Sequence, residues 1–165
     1  MSFSEPYNSL LKKLLDVLKK RFGEALVSVV VYGSLARGEM RRDSDIDLLI
    51  VVDALPKSRL RRQELFEEAE ALIESDLKKL WAEGFYITFS PVMKTMEEAR
   101  RLSPLYLDLV DDAVILFDQD DFFKGVLDRL RKKLNELGAR RVKLGRRWYW
   151  ILKDRYEFGE VITIE

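Results

Sequence analysis

The sequence predicts a single domain of the α/β or α+β class. Three observations carry that reading: leucine-rich stretches of helical period alternate with short runs of valine and isoleucine, glycines punctuate the ends of the periodic stretches, and one apolar run is continuous enough to be a strand covered on both faces. From Tyr7 to Phe22, Leu10, Leu11, Leu14, Leu15, Leu18 and Phe22 recur at helical spacing, lysines take much of the remaining surface, and Gly23 ends the helix. Ala25 to Tyr32 is valine-rich and stops at Gly33-Ser34, which reads as a buried strand and a tight turn. A polar stretch, Arg37 to Ser44, leads into Asp45 to Val52, which opens with two aspartates and turns wholly apolar, as a central strand does.

Pro56 to Glu83 is expected to be one amphipathic helix burying Leu65, Ala69, Leu72, Ile73, Leu80 and Trp81, and Gly84 closes it. Phe85 to Val92 follows as a third strand, then short helices at Thr95 to Arg101 and Pro104 to Leu109, a strand at Ala113 to Phe117, and a helix at Phe123 to Leu137 ended by Gly138. A body of residues 1–138 therefore precedes an extension, 139–165, expected to pack on the same domain and to end in a short strand at Val161 to Ile164. There is no internal repeat or low-complexity segment.

Composition removes many chemistries. The 165 residues carry 29 basic and 29 acidic side chains, with no cysteine and no histidine. Disulfides, Cys/His zinc sites, cysteine nucleophiles and Ser-His-Asp triads are thereby excluded. Any metal must sit among oxygen ligands, which favours Mg²⁺ over zinc, and the simplest general base is a carboxylate. The neutral balance argues against a protein that coats nucleic acid, though not against a local basic patch. Met1 to Glu5 lacks a signal-peptide pattern, and no apolar run approaches the roughly 20 residues that span a bilayer, so a cytoplasmic protein is expected. Abundant Glu, Lys and Arg with few Asn and Gln is a thermophile-like composition.

The chemistry concentrates between Tyr32 and Ile50. Asp45 and Asp47 lie two apart at the start of a strand, so both carboxylates project from one face and repel each other unless a cation lies between them. Mg²⁺ commonly takes one or two carboxylates together with substrate phosphates and water. Gly33 permits close backbone approach, Ser34 adds a hydroxyl and an N–H, and a helix starting there would offer its first N–H groups to an anion. A Gly-Ser turn or a lone Asp-x-Asp is ordinary loop chemistry. Strand, Gly-Ser, Ala36-Arg37-Gly38, a polar spacer and Ser44-Asp45-Ile46-Asp47 running into an apolar strand form a joint pattern suited to a nucleoside triphosphate.

Gly33-Ser34-Leu35-Ala36-Arg37-Gly38-Glu39 through Ser44-Asp45-Ile46-Asp47-Leu48 closely resembles the minimal nucleotidyltransferases of the DNA polymerase beta superfamily, with the specific match over about residues 25–52. The element order and the ending from Trp148 to Ile162 are also similar to small archaeal and bacterial members. The resemblance implies a mixed sheet with helices mainly on one face, a nucleotidyltransferase domain over residues 1–138, and transfer of a nucleoside monophosphate from ATP or another triphosphate to a hydroxyl. It assigns triphosphate binding to Gly33 and Ser34, and Mg²⁺ binding and catalysis to Asp45 and Asp47. Active members supply a third carboxylate from a later strand; here that strand, Phe85 to Val92, contains no acid, only Thr88 and Ser90, with Asp111 and Asp112 as candidate substitutes further on. Minimal members are also paired with helical HEPN partners in toxin–antitoxin systems, so a weakened, partner-binding antitoxin or regulator is the alternative the resemblance implies.

Two secondary signals remain. Arg37 suits either a bidentate phosphate contact or an ion pair with Glu39 or Asp43, while Arg41 and Arg42 read as solvated loop. Arg140, Arg141, Lys143, Arg146 and Arg147 precede Trp148, Tyr149 and Trp150, a mixture that suits RNA or a protein surface, or a solvated rim over buried tryptophans.

Overall fold

The computed structural model describes residues 3–165; Met1 and Ser2, which begin both the N-terminal reading and the 1–138 body, lie outside the described residues. Helix α1 (Tyr7–Phe22) leads into strand β1 (Leu26–Tyr32), the single-turn helix α2 (Gly33–Ala36) and strand β2 (Asp45–Val52). Then come α3 (Arg59–Glu70), α4 (Glu74–Ala82), β3 (Thr88–Lys94), α5 (Met96–Arg100), β4 (Val114–Asp118) and α6 (Phe122–Leu137). A hairpin, β5 (Arg140–Leu144) and β6 (Arg147–Ile151), follows.

The sheet is mixed, in the order β3-β2-β1-β4: β1 runs antiparallel to β2 and β4, and β2 runs parallel to β3. Its two central strands are apolar on both faces because both faces are covered. Val29, Val31, Leu48 and Ile50 pack against Leu11, Leu14 and Leu18 of α1, Phe66 and Ala69 of α3 and Leu77 of α4. Val30, Leu49 and Val51 face Ala99, Tyr106, Leu109 and the Phe123, Val126 and Leu130 stripe of α6. Of the four helices longer than five residues, three lie on the first face, so the helices are indeed mainly on one side.

The expected helix over 56–83 is divided. A 3₁₀ turn at Ala71–Ile73 separates α3 from α4, and the buried positions are Arg62, Phe66, Ala69, Ile73 and Leu77. Of the six expected buried positions only Ala69 and Ile73 are fully covered; Leu72 is 66% exposed and Trp81 is also exposed. The stripe is phased by Arg62, a residue that hydrophobic periodicity counts as polar. Its side chain is 11% exposed. It donates to the Pro56 carbonyl at 2.6 Å, the Met93 carbonyl at 3.1 Å and both Glu98 oxygens at 2.7 and 2.9 Å. Buried charge is tolerated where it is paired and fully hydrogen-bonded, and this one cation ties α3 to β3 and α5. Glu98 also closes a capping box with Thr95 at the start of α5.

Two further boundaries moved. The third strand begins at Thr88 rather than Phe85 and runs on to Lys94, in parallel register with β2. In the extension the pairing lies in the β5–β6 hairpin, and residues 161–164 form no strand, since no partner strand meets them. Trp150 is half-buried and donates to the Leu107 carbonyl at 3.0 Å, and Leu152 and Ile164 pack on the α6 face. Among the described residues no helix is long and apolar enough to cross a membrane.

Arg62→Leu leaves two carbonyls and a carboxylate without their donor, and is expected to cost about 2–4 kcal/mol in urea unfolding. The Arg62 hydrogen bonds, ahead of the Thr95 amide, hold the Glu98 carboxyl down to about 2. A depressed folded-state pKa gives stability that is present above the unfolded carboxyl value and lost as pH falls toward 2. Urea midpoints measured through that acid window should fall in the wild type and fall less in Glu98→Gln.

Candidate active site

The site is built where β1 ends. Tyr32 pairs with Asp47 across the β1–β2 ladder, so the next residue, Gly33, turns the chain beside the Asp47 carboxylate. Gly33 has φ +73°, and a Cβ there would lie 2.1 Å from Asp47 Oδ2. The position therefore favours glycine, both for its positive φ and because any Cβ would push the Asp47 carboxylate aside. Leu35 is buried in the α1 face and anchors the single turn α2, while Glu39 N–H to the Ser34 carbonyl (2.8 Å) and Arg37 N–H to the Gly33 carbonyl (3.2 Å) fold the following loop back on it.

On β2, Asp45 and Asp47 face the same way, as alternate strand residues do. The parallel register sets Thr88 of β3 opposite Asp45 and Ser90 opposite Asp47. Thr88 Oγ1 donates to Asp45 Oδ1. The positions flanking the aspartates thus carry hydroxyls, in agreement with the absence of an acid on this strand. Burial raises the Asp47 carboxyl above the ordinary carboxylate range, the Asp45 charge raises it further, and Arg37 opposes both. The neighbouring Tyr32 phenol is pushed up to about 12 by burial and by the charges of Asp47 and Asp108.

The structure thus brings Gly33, Ser34, Arg37, Asp45 and Asp47 together on α2, its loop and β2. Arg37 is engaged by Glu39 at 3.1 Å, not by Asp43. Asp111 and Asp112 are turned toward Arg141, at 3.8 and 2.6 Å, and so do not replace the third acid. Asp108, at the end of the 3₁₀ turn Pro104–Asp108, does act on Asp47. No local sequence signal marks it, because only the packing of that turn under β1 brings it near. Among the described residues no group of three acids is placed to hold a metal ion.

The basic run is largely engaged within the chain. Arg140 meets Asp154 at 3.4 Å, and Arg141 and Lys143 lie 4.4 and 5.1 Å from the ring centre of Trp148. Trp148 is thus covered by cations at the surface rather than buried in the core, in contrast to Trp150.

A family model described as "Nucleotidyltransferase domain" matches residues 11–103, which contain most of α1, the glycine turn, both aspartates and β3. The chain belongs to the nucleotidyltransferase domain family. Among curated relatives, MJ1305 of Methanocaldococcus jannaschii, named provisionally as a protein adenylyltransferase, is 29% identical over 75% of this chain and 80% of its own. The protein adenylyltransferase MntA of Thermococcus cleftensis is 39% identical over 42% of this chain and 67% of its own. Similar solved structures include a toxin–antitoxin complex with AMP-PNP, at 19% identity over 77% of this chain and 91% of that one, TM-score 0.46. Another, from Shewanella oneidensis, has 14% identity over 82% and 93% of the two chains, TM-score 0.43.

Two outcomes test this nucleotidyltransferase geometry. Gly33→Ala is expected to leave the sheet folded, at a cost of about 1–2 kcal/mol for a side chain at positive φ, while displacing the Asp47 carboxylate. Calorimetric titration of Mg²⁺-ATP should then show at least a tenfold loss of affinity. Because Asp47 has a raised folded-state pKa, its charge destabilises the metal-free protein, and stability is gained as pH falls through that pKa. Metal-free Asp47→Asn should therefore melt above the wild type at neutral pH, with the gap closing in acid.

Proposed function

We propose that this nucleotidyltransferase is a Mg²⁺-dependent adenylyltransferase that moves AMP from ATP to a hydroxyl of a protein acceptor. The observation that carries the reading is the seating of the Gly33 backbone against the Asp47 carboxylate, with Asp45 two residues away on the same face of β2. The names of the curated relatives support adenylyl as the group and protein as the acceptor.

The donor set suits Mg²⁺. Asp45 and Asp47 present hard oxygen ligands on one sheet face; burial and then the Asp45 charge raise the Asp47 carboxyl, and both effects are what a bound dication offsets. When bound, Mg²⁺ supplies neutralisation of charge on the triphosphate. The residues of the chain do the rest. Gly33 and Ser34 hold the β and γ phosphates through backbone N–H groups and the Ser34 hydroxyl, and Arg37, on releasing Glu39, adds a guanidinium to them. The acceptor oxygen forms a bond to the α-phosphorus as the bond to the bridging oxygen breaks. Pyrophosphate departs with that electron pair. The hydroxyl proton passes to solvent, since neither Thr88 nor Ser90 is a useful base at neutral pH.

Those hydroxyls favour a second reading, in which the chain is a weakened module acting chiefly through a HEPN-type protein partner, as an antitoxin or regulator does. Recovery of no stoichiometric partner from native lysate would count against it. The first reading is tested by transfer from α-labelled ATP to a candidate helical partner. Asp47→Asn should lower transfer by roughly a hundredfold or more, the scale on which a main electrostatic contributor acts; equal labelling by both proteins would sink the mechanism. Ser90→Asp places a carboxylate beside Asp47, and is expected to raise turnover by up to about a hundredfold if proton removal limits the rate.

A further inference from the structure

A cleft of about 820 Å³ lies between the first turn of α3 and the C-terminal half of β3. It is not the aspartate site. Its lining includes none of Gly33, Ser34, Asp45 or Asp47; its near end, Pro91, follows Ser90, the register partner of Asp47, and Lys94 lies four residues beyond Ser90, about 13 Å along β3. Its volume falls in the range of small-molecule sites, about 300–1,000 Å³.

The lining has an unusual charge. Arg62 and Glu98 form its floor and satisfy each other. Around them stand Lys57, Arg59 and Lys94, and among the described residues none of the three has an ion-pair partner. Lys94 is half-buried, its ammonium 4.9 Å from the ring centre of Tyr106, and burial lowers its pKa although Glu98 opposes that. The first turn of α3 has no acid; Arg59, Arg61 and Arg62 occupy it, at the helix end where the backbone dipole is already positive. Arg61 and Arg62 are paired with Glu64 and Glu98, which leaves Arg59, among the described residues, as an unpaired cation at the helix end that an anion would complement.

The same wall is apolar in part. Leu60 is 69% exposed, and Pro91 and Met93 line the cleft opposite it. A bound strand is not what this edge offers. β3 is an edge strand, yet Pro91 has no N–H and the Met93 carbonyl is taken by Arg62. A compact ligand with an anionic end and an apolar body fits the lining better than an extended peptide does.

We propose that this cleft binds a phosphorylated small molecule of nucleotide size, its phosphates held by Lys57, Arg59 and Lys94 and its apolar part lying on Leu60, Pro91 and Met93. The proposal does not rest on the transfer reading, because it uses none of the residues at Asp45 and Asp47. It is tested by calorimetric titration of ADP and of inorganic pyrophosphate into the full chain with EDTA present, so that no divalent metal supports binding at the aspartates. ADP should bind wild type and the Asp45→Asn/Asp47→Asn variant alike, and bind Arg59→Ala/Lys94→Met at least tenfold more weakly. Leu60→Glu, at an exposed rim position where folding is not at stake, should weaken ADP and pyrophosphate together by placing a like charge in the cleft. Binding of ADP more tightly than pyrophosphate supports the apolar contact. Absence of ADP binding to wild type, equal affinity in Arg59→Ala/Lys94→Met with circular dichroism unchanged, or loss in the aspartate variant alone would each overturn the proposal.

Discussion

The contact between the Gly33 backbone and the Asp47 carboxylate is the constraint on which the site depends. It exists because Tyr32 and Asp47 are ladder partners, so a turn taken one residue later must pass beside the carboxyl group. With 2.1 Å between a would-be Cβ and Asp47 Oδ2, a side chain fits only by displacing that carboxylate, and the positive φ of the same residue further favours glycine. Leu35 then pins the turn into the α1 face, while β2 continues as a strand buried on both sides. The loop is held by a core on one end and by the sheet on the other. The glycine turn and the paired carboxylates are thus coupled through one register.

A second constraint, electrostatic rather than steric, organises the far end of the sheet. Arg62 is buried in a helix whose other inward positions are apolar, and its guanidinium joins three elements through backbone carbonyls and Glu98. Such a group contributes little net energy over an apolar replacement of equal shape, yet removing one partner is costly, so it specifies the packing of α3 on β3 more than it strengthens it. It also caps the exposed edge of the sheet and leaves the neighbouring cations facing an open cleft.

The chemistry of the site follows from what the chain lacks as much as from what it holds. With no histidine or cysteine, proton handling falls to carboxylates and water. The β3 register puts hydroxyls beside both aspartates, and Thr88 hydrogen-bonds to Asp45. A further acid, Asp108, comes from a 3₁₀ turn packed on the same sheet face as the aspartates and raises the Asp47 carboxyl through space. Under the proposed transfer reading, the paired aspartates hold a dication and the neighbouring hydroxyls leave acceptor deprotonation to solvent.

Much of this was legible along the chain. Strand β1 is valine-rich and β2 becomes an apolar run after its two aspartates, helices α1 and α6 carry regular leucine stripes, and the Gly-Ser turn and the Asp-x-Asp pair are short-range patterns whose geometry is set within a few residues. The sequence also showed that no acid stands on the third strand, since that needs only composition. Other features depended on which surfaces meet. The buried face of α3 was misphased because periodicity treats arginine as polar, and only Met93, Pro56 and Glu98, brought close by folding, make Arg62 an interior residue. The start of β3, the hairpin in place of a terminal strand, and the turning of Asp112 toward Arg141 were likewise settled by long-range partners. Local spacing determines where a carboxylate points along its own strand; which backbone, cation or hydroxyl stands opposite is decided by strand register and helix packing, and those are properties of the assembled sheet.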